Sequence, residues 1–181
     1  MLTGRRRVLI SLVGLAAVVG GCLVWATSGS TGPTLESGGE EGVGANAPHS
    51  YPKTSYVFLM RTLCTTGGAI SISRVTAAKP TGGMRVDSWG VRVRYADRQY
   101  NNLVPLLGPV SKMPGFEHNR VATRCGSNEN SVDDFAVAIS MTSQHATMAG
   151  VWVYYRSDGS TRRTFAQYDI ALCSDTSCVS R

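Results

Sequence analysis

Apolar and polar residues alternate along most of the chain after residue 52. From Trp89 to Tyr95 every second residue is large and apolar, and arginines occupy two of the positions between. A period of two places alternate side chains on opposite faces, so it predicts half-buried β-strands rather than helices. The signal recurs in seven segments, which we expect to be strands: Tyr56–Leu63, Ala69–Val75, Met84–Tyr95, Asn119–Cys125, Phe135–Met141, Met148–Arg156 and Thr161–Cys173.

Residues typical of turns separate these segments. Thr66–Gly68 and Pro80–Gly83 are rich in glycine, and Ser157–Ser160 contains an Asp-Gly pair that suits a tight hairpin. The segment Asp97–His118 contains three prolines and is typical of a long crossover loop. About seven strands in about 120 residues predict an all-β fold, namely an Ig-like antiparallel β-sandwich, with a small barrel as the alternative.

The N-terminus has a different pattern, which predicts a targeting segment over residues 1–26. Arg5–Arg7 precede an uncharged, mostly apolar run of 19 residues from Val8 to Ala26. This length suits a transmembrane helix that remains as a signal-anchor. Two other fates stay open: lipidation at Cys22, which follows a lipobox-like Val-Gly-Gly, and cleavage after Ala26. In each case the basic cluster predicts that the C-terminal domain lies outside the cytoplasmic membrane.

The middle of the chain divides the membrane segment from the domain. Residues 27–52 are rich in Gly, Ser, Thr, Pro and Glu, so we expect a disordered linker there and an extracytoplasmic domain over residues 53–181. The net charge of the whole chain is +6, and residues 53–181 alone have 15 Lys and Arg against nine Asp and Glu. Because this charge lies outside the cell, it favours anionic lipid headgroups or surface polymers as partners over nucleic acid.

Four cysteines beyond the apolar run predict two disulfides. Cys125 and Cys173 end strands that are separated by three antiparallel reversals, so we expect them at opposite ends of the sandwich. Cys178 should stay near Cys173, because only five positions separate them. Elimination leaves Cys64–Cys125 and Cys173–Cys178.

The sequence offers little that indicates catalysis, a metal or a cofactor. It contains no G-x-S-x-G or H-E-x-x-H, and its three histidines are scattered. Asp133 and Asp134 directly precede the expected strand Phe135–Met141, where we expect a polar loop that enters the strand, and neighbouring residues of a strand would point their carboxylates to opposite faces. We therefore expect a protein that is not an enzyme and has no metal or cofactor.

The last hairpin carries the most informative pattern. If Asp158-Gly159 forms a two-residue loop, Tyr155 faces Arg162, Trp152 faces Phe165, and one side of the hairpin is suited to the core. The residues of that side are Val151, Val153, Tyr155, Ala166, Tyr168, Ile170 and Leu172. The other side combines aromatic rings with arginines, as binding surfaces do. Its candidate binding residues are Trp152, Tyr154, Phe165, Arg163 and Arg156.

Two further features of that side stay open. We expect a cation–π contact from Arg163 to Tyr154. The side could also be covered by the Asp97–His118 loop, or its rings could make only cross-strand pairs. A wider basic surface could form from eight arginines: Arg92, Arg94, Arg98, Arg120, Arg124, Arg156, Arg162 and Arg163.

The order of several short segments carries a family resemblance. CTTGGAISISRVTAAKPTGGMRVDSWGVR, VATRCG and DFAVAIS, followed by a hairpin ending in ALC, resemble small exported proteins of high-GC actinobacteria over Leu63 to Cys173. The resemblance implies a membrane segment, an Ig-like sandwich and disulfides, and it brings no catalytic residues. The expected function is a cell-envelope domain that binds a protein or an anionic surface polymer. The alternatives are a structural or accessory module and a small extracytoplasmic enzyme.

Overall fold

The computed structural model describes residues 32–38, 44–95, 106–127 and 131–179. The expected membrane segment at residues 1–26, with Cys22, lies outside the described residues. Within the described part of the chain, no helix has the length and apolar character needed to cross a bilayer.

The described residues form an all-β structure, as the alternating pattern predicts. About 60% of them lie in strands, and none of their helices reaches seven residues. The strands are β1 Leu35–Ser37, β2 Gly44–Ala47, β3 Tyr56–Thr65, β4 Ile70–Ala77, β5 Arg85–Tyr95, β6 Leu106–Leu107, β7 Arg120–Val121, β8 Ser131–Ser140, β9 His145–Ser157 and β10 Ser160–Cys173.

The strands are divided between two sheets. Sheet 1 has the order β1-β3-β8-β5, and β6 pairs with one end of β3. Sheet 2 has the order β2-β10-β9-β4-β7. Neighbouring strands are antiparallel except β2 and β10, which are parallel. Both sheets therefore contain strands from distant parts of the chain.

One hydrophobic core joins the inner faces of the two sheets. Phe135, Val137 and Ile139 of β8 are completely buried on the side of sheet 1, and Val151 and Val153 of β9 are completely buried on the side of sheet 2. The side of the last hairpin that the pattern assigns to the core is indeed buried at all seven positions. Burial of this kind is the main favourable contribution to folding.

A second, smaller cluster covers the outer face of sheet 1. Val110 and Phe116 pack on Ala136 and Ala138, which point outward from β8. The backbone N–H of Val110 also donates to the Ser88 hydroxyl. The described part of the expected crossover loop therefore covers sheet 1 and leaves the outer face of sheet 2 uncovered.

The expectation of a disordered linker over residues 27–52 is wrong where this segment forms β1 and β2. β1 pairs with the edge of β3, and Leu35 inserts into the core with 3% of its surface exposed. β2 pairs with β10 through backbone hydrogen bonds, and Ala45 and Ala47 pack against the core. Short edge strands are held mainly by backbone hydrogen bonds and can form with few large apolar residues. The composition of this segment therefore does not reveal them.

The expected strand Asn119–Cys125 is also shorter than predicted. Only Arg120–Val121 is a strand, and the next two backbone N–H groups, of Ala122 and Thr123, donate to the carboxylate of Asp133. That side chain replaces the ladder hydrogen bonds of a neighbouring strand.

Both disulfides join the expected partners. Cys64 of β3 is bonded to Cys125, with their Cα atoms 5.0 Å apart. Cys173 at the end of β10 is bonded to Cys178, with their Cα atoms 5.9 Å apart. The first bond fixes the segment after β7 to sheet 1, and the second fixes the final turn to sheet 2.

Candidate binding face

The β9–β10 hairpin positions most of the candidate binding residues. Asp158 and Gly159 have φ angles of 50° and 73°, which the two central positions of a tight hairpin turn require. The register that follows pairs Tyr154 with Arg163 and Trp152 with Phe165. This is the register expected from the sequence.

β4 extends the outer face on the other side of β9. Arg74 pairs with Tyr154, and Thr76 pairs with Trp152. The outer face of sheet 2 therefore has two rows that each cross three strands. Arg74, Tyr154 and Arg163 form one row, and Thr76, Trp152 and Phe165 form the next.

Two arginines stack on aromatic rings in this face. The guanidinium carbon of Arg74 lies 4.1 Å from the centroid of the Tyr154 ring. The guanidinium carbon of Arg163 lies 4.3 Å from the centroid of the Trp152 ring. The Trp152 and Phe165 centroids are 5.1 Å apart, with a tilt of 44° between the rings. We call these five residues the arginine–aromatic ladder.

The ladder corrects the expected stacking of Arg163 on Tyr154. The guanidinium of Arg163 lies over the ring of Trp152 in the next row. The guanidinium of Arg74 lies over the ring of Tyr154 instead. Arg163 still contacts Tyr154, because it hydrogen-bonds the phenol oxygen and thereby lowers the pKa of Tyr154. A hydrogen bond from Thr76 and the positive charge of Arg74 lower this pKa further.

The three rings of the ladder are half-buried, whereas both of its arginines are exposed. Trp152 and Phe165 are thus not fully buried, as they must be if they are to contact a partner. Arg156 lies two positions beyond Tyr154 on the same face, where it is exposed and paired with Thr161.

Arg74 is the ladder residue that the sequence pattern misses. Ile70 and Ile72 point into the core, so strict alternation would turn Arg74 inward as well. The register between β4 and β9 shifts between Ile72 and Arg74, which is a β-bulge that turns Arg74 outward. An arginine in phase with core residues is the sequence signal that could have indicated the bulge.

Two clefts continue the face beyond the ladder. The first has a volume of about 370 Å³ and is bounded by Trp152, Phe165, Gln167, Ala78, Lys79 and Ala149. The second has a volume of about 440 Å³ and is lined by Asn46, Lys79, Thr147, Met148, Ala149, Asp169, Ile170 and Ala171. The clefts share Lys79 and Ala149, so they adjoin beside β9 and β10, and we call the two together the groove.

Small residues and a turn shape this groove. Ala149 lines both clefts, and the neighbouring Gly150 has a φ of 134° that a side chain would strain. A Cβ at Gly150 would also lie within 3.0 Å of the Phe165 ring, so the absent side chain makes room for that ring. Lys79 has a left-handed φ of 48° in the turn after β4, where it borders both clefts.

The eight arginines proposed as one basic surface do not share a face. Arg92 and Arg94 lie on sheet 1 and bind the carboxylate of Asp134 at 2.9 and 3.0 Å. Arg162 faces Asp158 at 3.9 Å. Arg98 lies outside the described residues. The positive groups beside the groove are Arg74, Lys79 and Arg163, with Arg156 further along.

The remaining candidates for chemistry are engaged in structure. Asp133 accepts two backbone hydrogen bonds, and Asp134 binds two arginines on the opposite face of β8, so the two buried carboxylates do not converge. His145 lies close to the sulfur atoms of Cys173 and Cys178. Those sulfur atoms are joined in a disulfide, so they do not offer thiolate ligands.

No protein-family model, curated protein or solved structure matches this chain.

Proposed function

We propose that this protein is a non-enzymatic cell-envelope domain that binds a partner through the outer face of sheet 2. The arginine–aromatic ladder is the observation that carries the proposal. Trp, Tyr and Arg are the residues that contribute most to binding energy at interfaces. Here they meet on one face, where Arg74 and Arg163 are held 4.1 and 4.3 Å from ring centroids.

The stacked arrangement favours binding because it orders long side chains in advance. An arginine that is already held on a ring loses less conformational entropy when it contacts a ligand. Tyr154 lies between two such arginines and accepts a hydrogen bond from one of them. Each guanidinium is therefore supported by neighbours and still exposed to solvent.

The difference between the two outer faces supports the same choice. Val110 and Phe116 cover the outer face of sheet 1, and Arg92 and Arg94 beside them are both engaged by the carboxylate of Asp134. Sheet 2 has a groove and exposed cations at the corresponding position. An open, positively charged face suits a binding role better than a covered face does.

We also propose that the two-sheet unit is an immunoglobulin-like sandwich. An immunoglobulin domain places strands A, B, E and D in one sheet, and C, F and G in the other. β1, β3, β8 and β5 of sheet 1 have the order expected for A, B, E and D, while β4, β9 and β10 of sheet 2 have the order of C, F and G. The sequence order of these seven strands agrees with the same assignment.

The location that we propose is the outer side of the cytoplasmic membrane. The uncharged run from Val8 to Ala26 supports attachment as a single-pass anchor, with lipidation at Cys22 or secretion as alternatives. Two disulfides support an oxidising environment for the domain.

A capture experiment with matched variants tests the binding role. The tagged full-length chain in detergent is mixed with an envelope extract, and the bound material of the wild type is compared with that of Arg74→Gln/Arg163→Gln. The control, Arg85→Gln/Lys112→Gln, removes two exposed charges from sheet 1 and from the segment that covers it. The wild type and the control should retain the same partner, and the ladder variant should lose most of it. Equal recovery by all three would leave only a structural or accessory module.

A further inference from the structure

We infer that the partner of this face is an anionic polysaccharide, a chain of sugar rings that carry carboxylate or phosphate groups. The inference rests on the proposed binding function and specifies its ligand. It follows from the length of the groove, its charge, and the kind of side chains that border it.

The groove suits an extended ligand. The two clefts, of about 370 and 440 Å³, adjoin at Lys79 and Ala149 instead of forming one enclosed pocket. On β10, the residues along the groove and ladder run from Arg163 to Ala171. These nine residues are separated by eight steps of about 3.3 Å, which gives a length of about 26 Å. A polymer can occupy this length, whereas a compact ligand would fill only one of the clefts.

Positive charge lies at one end of this length and where the two clefts adjoin. Arg74 and Arg163 are in the ladder, Lys79 lines both clefts, and Asp169 is the acidic residue among the described lining residues. Guanidinium groups bind carboxylates and phosphates through paired N–H donors. A ligand with repeated negative groups therefore matches several positions along the groove at once.

The border of the groove suits sugar rings and their hydroxyl groups. Amide and hydroxyl groups from Asn46, Thr147 and Gln167 lie beside small residues such as Ala149. Trp152 and Phe165 add an aromatic border to the first cleft. Alternating polar groups and ring surface can contact both the hydroxyl edges and the apolar faces of sugars.

A protein partner fits the described surface less well. Protein interfaces depend on large apolar or aromatic anchors that become fully buried. Among the described residues, the large apolar side chains that are exposed are Tyr51, Val93, Tyr95 and Leu107. They lie in β5 and β6 of sheet 1 and in the segment before β3, away from the outer face of sheet 2.

Polymer titrations with the full-length chain in detergent micelles test this inference. The anionic glycan probes are polygalacturonate, which carries carboxylates, and phosphomannan, which carries phosphates. Dextran serves as a neutral glycan, and poly-L-glutamate serves as an anion without sugar rings. We expect at least one anionic glycan to bind at least tenfold more tightly than dextran and poly-L-glutamate. Binding should weaken with added salt, because charges contribute to it.

Variants separate recognition by this face from attraction by net charge. Arg74→Gln/Arg163→Gln should weaken binding of the preferred glycan at least tenfold, and Arg85→Gln/Lys112→Gln should change it less than twofold. Trp152→Ala should weaken binding of the preferred glycan but leave binding of poly-L-glutamate unchanged. Near-ultraviolet circular dichroism checks that each variant is folded. Equal binding of poly-L-glutamate, or equal effects of the two double variants, would overturn the inference.

The titration and the capture experiment together distinguish a failure of the polysaccharide inference from a failure of the proposed binding function. If neither anionic glycan binds but the ladder variant still loses a protein in the envelope capture experiment, the polysaccharide inference is wrong and the binding face remains. If neither glycan binds and the capture is equal for all variants, both proposals are wrong.

Discussion

Tyr154 shows how strongly single residues are coupled in the outer face of sheet 2. Its ring supports Arg74, and its hydroxyl group accepts a hydrogen bond from Arg163, whose guanidinium lies over Trp152. The phenolate form would be stabilised by both cations, so the pKa of Tyr154 lies below its ordinary value. This pKa therefore reports whether the ladder is assembled.

Removal of Arg163 should raise the pKa of Tyr154. In Arg163→Gln the hydrogen bond that lowers this pKa most is lost, so the pKa should move upward toward the ordinary tyrosine value. The measurement is a titration followed by the ¹³Cζ signal of tyrosine in the full-length chain. Arg85→Gln, on sheet 1, should leave the signal unchanged. An identical Tyr154 pKa in the wild type and Arg163→Gln would contradict the ladder geometry.

Asp134 carries the largest electrostatic contribution to stability that we expect from one residue. Its side chain is 2% exposed and binds Arg92 and Arg94, so replacing it would leave two arginines near an apolar cluster without their anion. Asp134→Asn should lower the free energy of unfolding by about 3 kcal/mol. Asp87→Asn is the comparison, because Asp87 pairs with an exposed Arg85 and should cost less than about 1 kcal/mol. Urea unfolding of both variants checks this difference, and equal losses would contradict it.

At the scale of the elements, how far the sequence predicts the structure depends on the regularity of each strand. β9 and β10 alternate strictly beside an Asp-Gly turn, so their register follows residue by residue from Ser157 to Phe165. β4 contains a bulge between Ile72 and Arg74, so its alternation places Arg74 inward, and only the occurrence of an arginine in phase with core residues indicates the outward position. β1 and β2 are edge strands with mostly small or polar side chains, and backbone pairing defines them. The core and most of the face could therefore be predicted, but not the stacking partners.

Gly150 lies where the register between β9 and β10 shifts, and we expect its substitution to destabilise the fold. A Cβ at Gly150 would collide with the backbone of Ala166 and approach the Phe165 ring, and its φ of 134° disfavours a side chain. Gly150→Ala should therefore lower the free energy of unfolding by about 3 kcal/mol. Gly159→Ala, with φ 73° but open space around it, should cost about 1 kcal/mol. Thermal and urea unfolding compare the two, and a smaller loss for Gly150→Ala would show that the strands adjust around it.

At the scale of the whole molecule, the two sheets differ in how their outer faces are covered. The outer face of sheet 1 is closed by the segment around Val110 and Phe116, and a disulfide from β3 holds the segment after β7. Sheet 2 carries its arginines and its groove on an open face. The shared core fixes the backbone of both, so the open face has a rigid support.

The two disulfides should contribute unequally to the stability of the domain. The Cys64–Cys125 bond spans a sequence separation of 61, and the Cys173–Cys178 bond a separation of five. Because a longer loop restricts the unfolded chain more, Cys64→Ser/Cys125→Ser should cost about 4 kcal/mol and Cys173→Ser/Cys178→Ser about 2 kcal/mol. Denaturant unfolding of the two double variants gives both values. The reverse order would show that strain or residual structure outweighs the entropy of the unfolded chain.

Site-directed crosslinking tests most directly whether the outer face of sheet 2 is the binding surface. A benzophenone amino acid replaces Gln167, which borders the first cleft, or Ser111, which is exposed on the segment that covers sheet 1. The full-length protein is then irradiated in its native membranes, and the crosslinked products are identified by mass spectrometry. A bound partner should be captured from position 167 and not from position 111, and Arg74→Gln/Arg163→Gln should reduce the captured product. Capture from position 111 alone, or equal capture from both, would contradict the account.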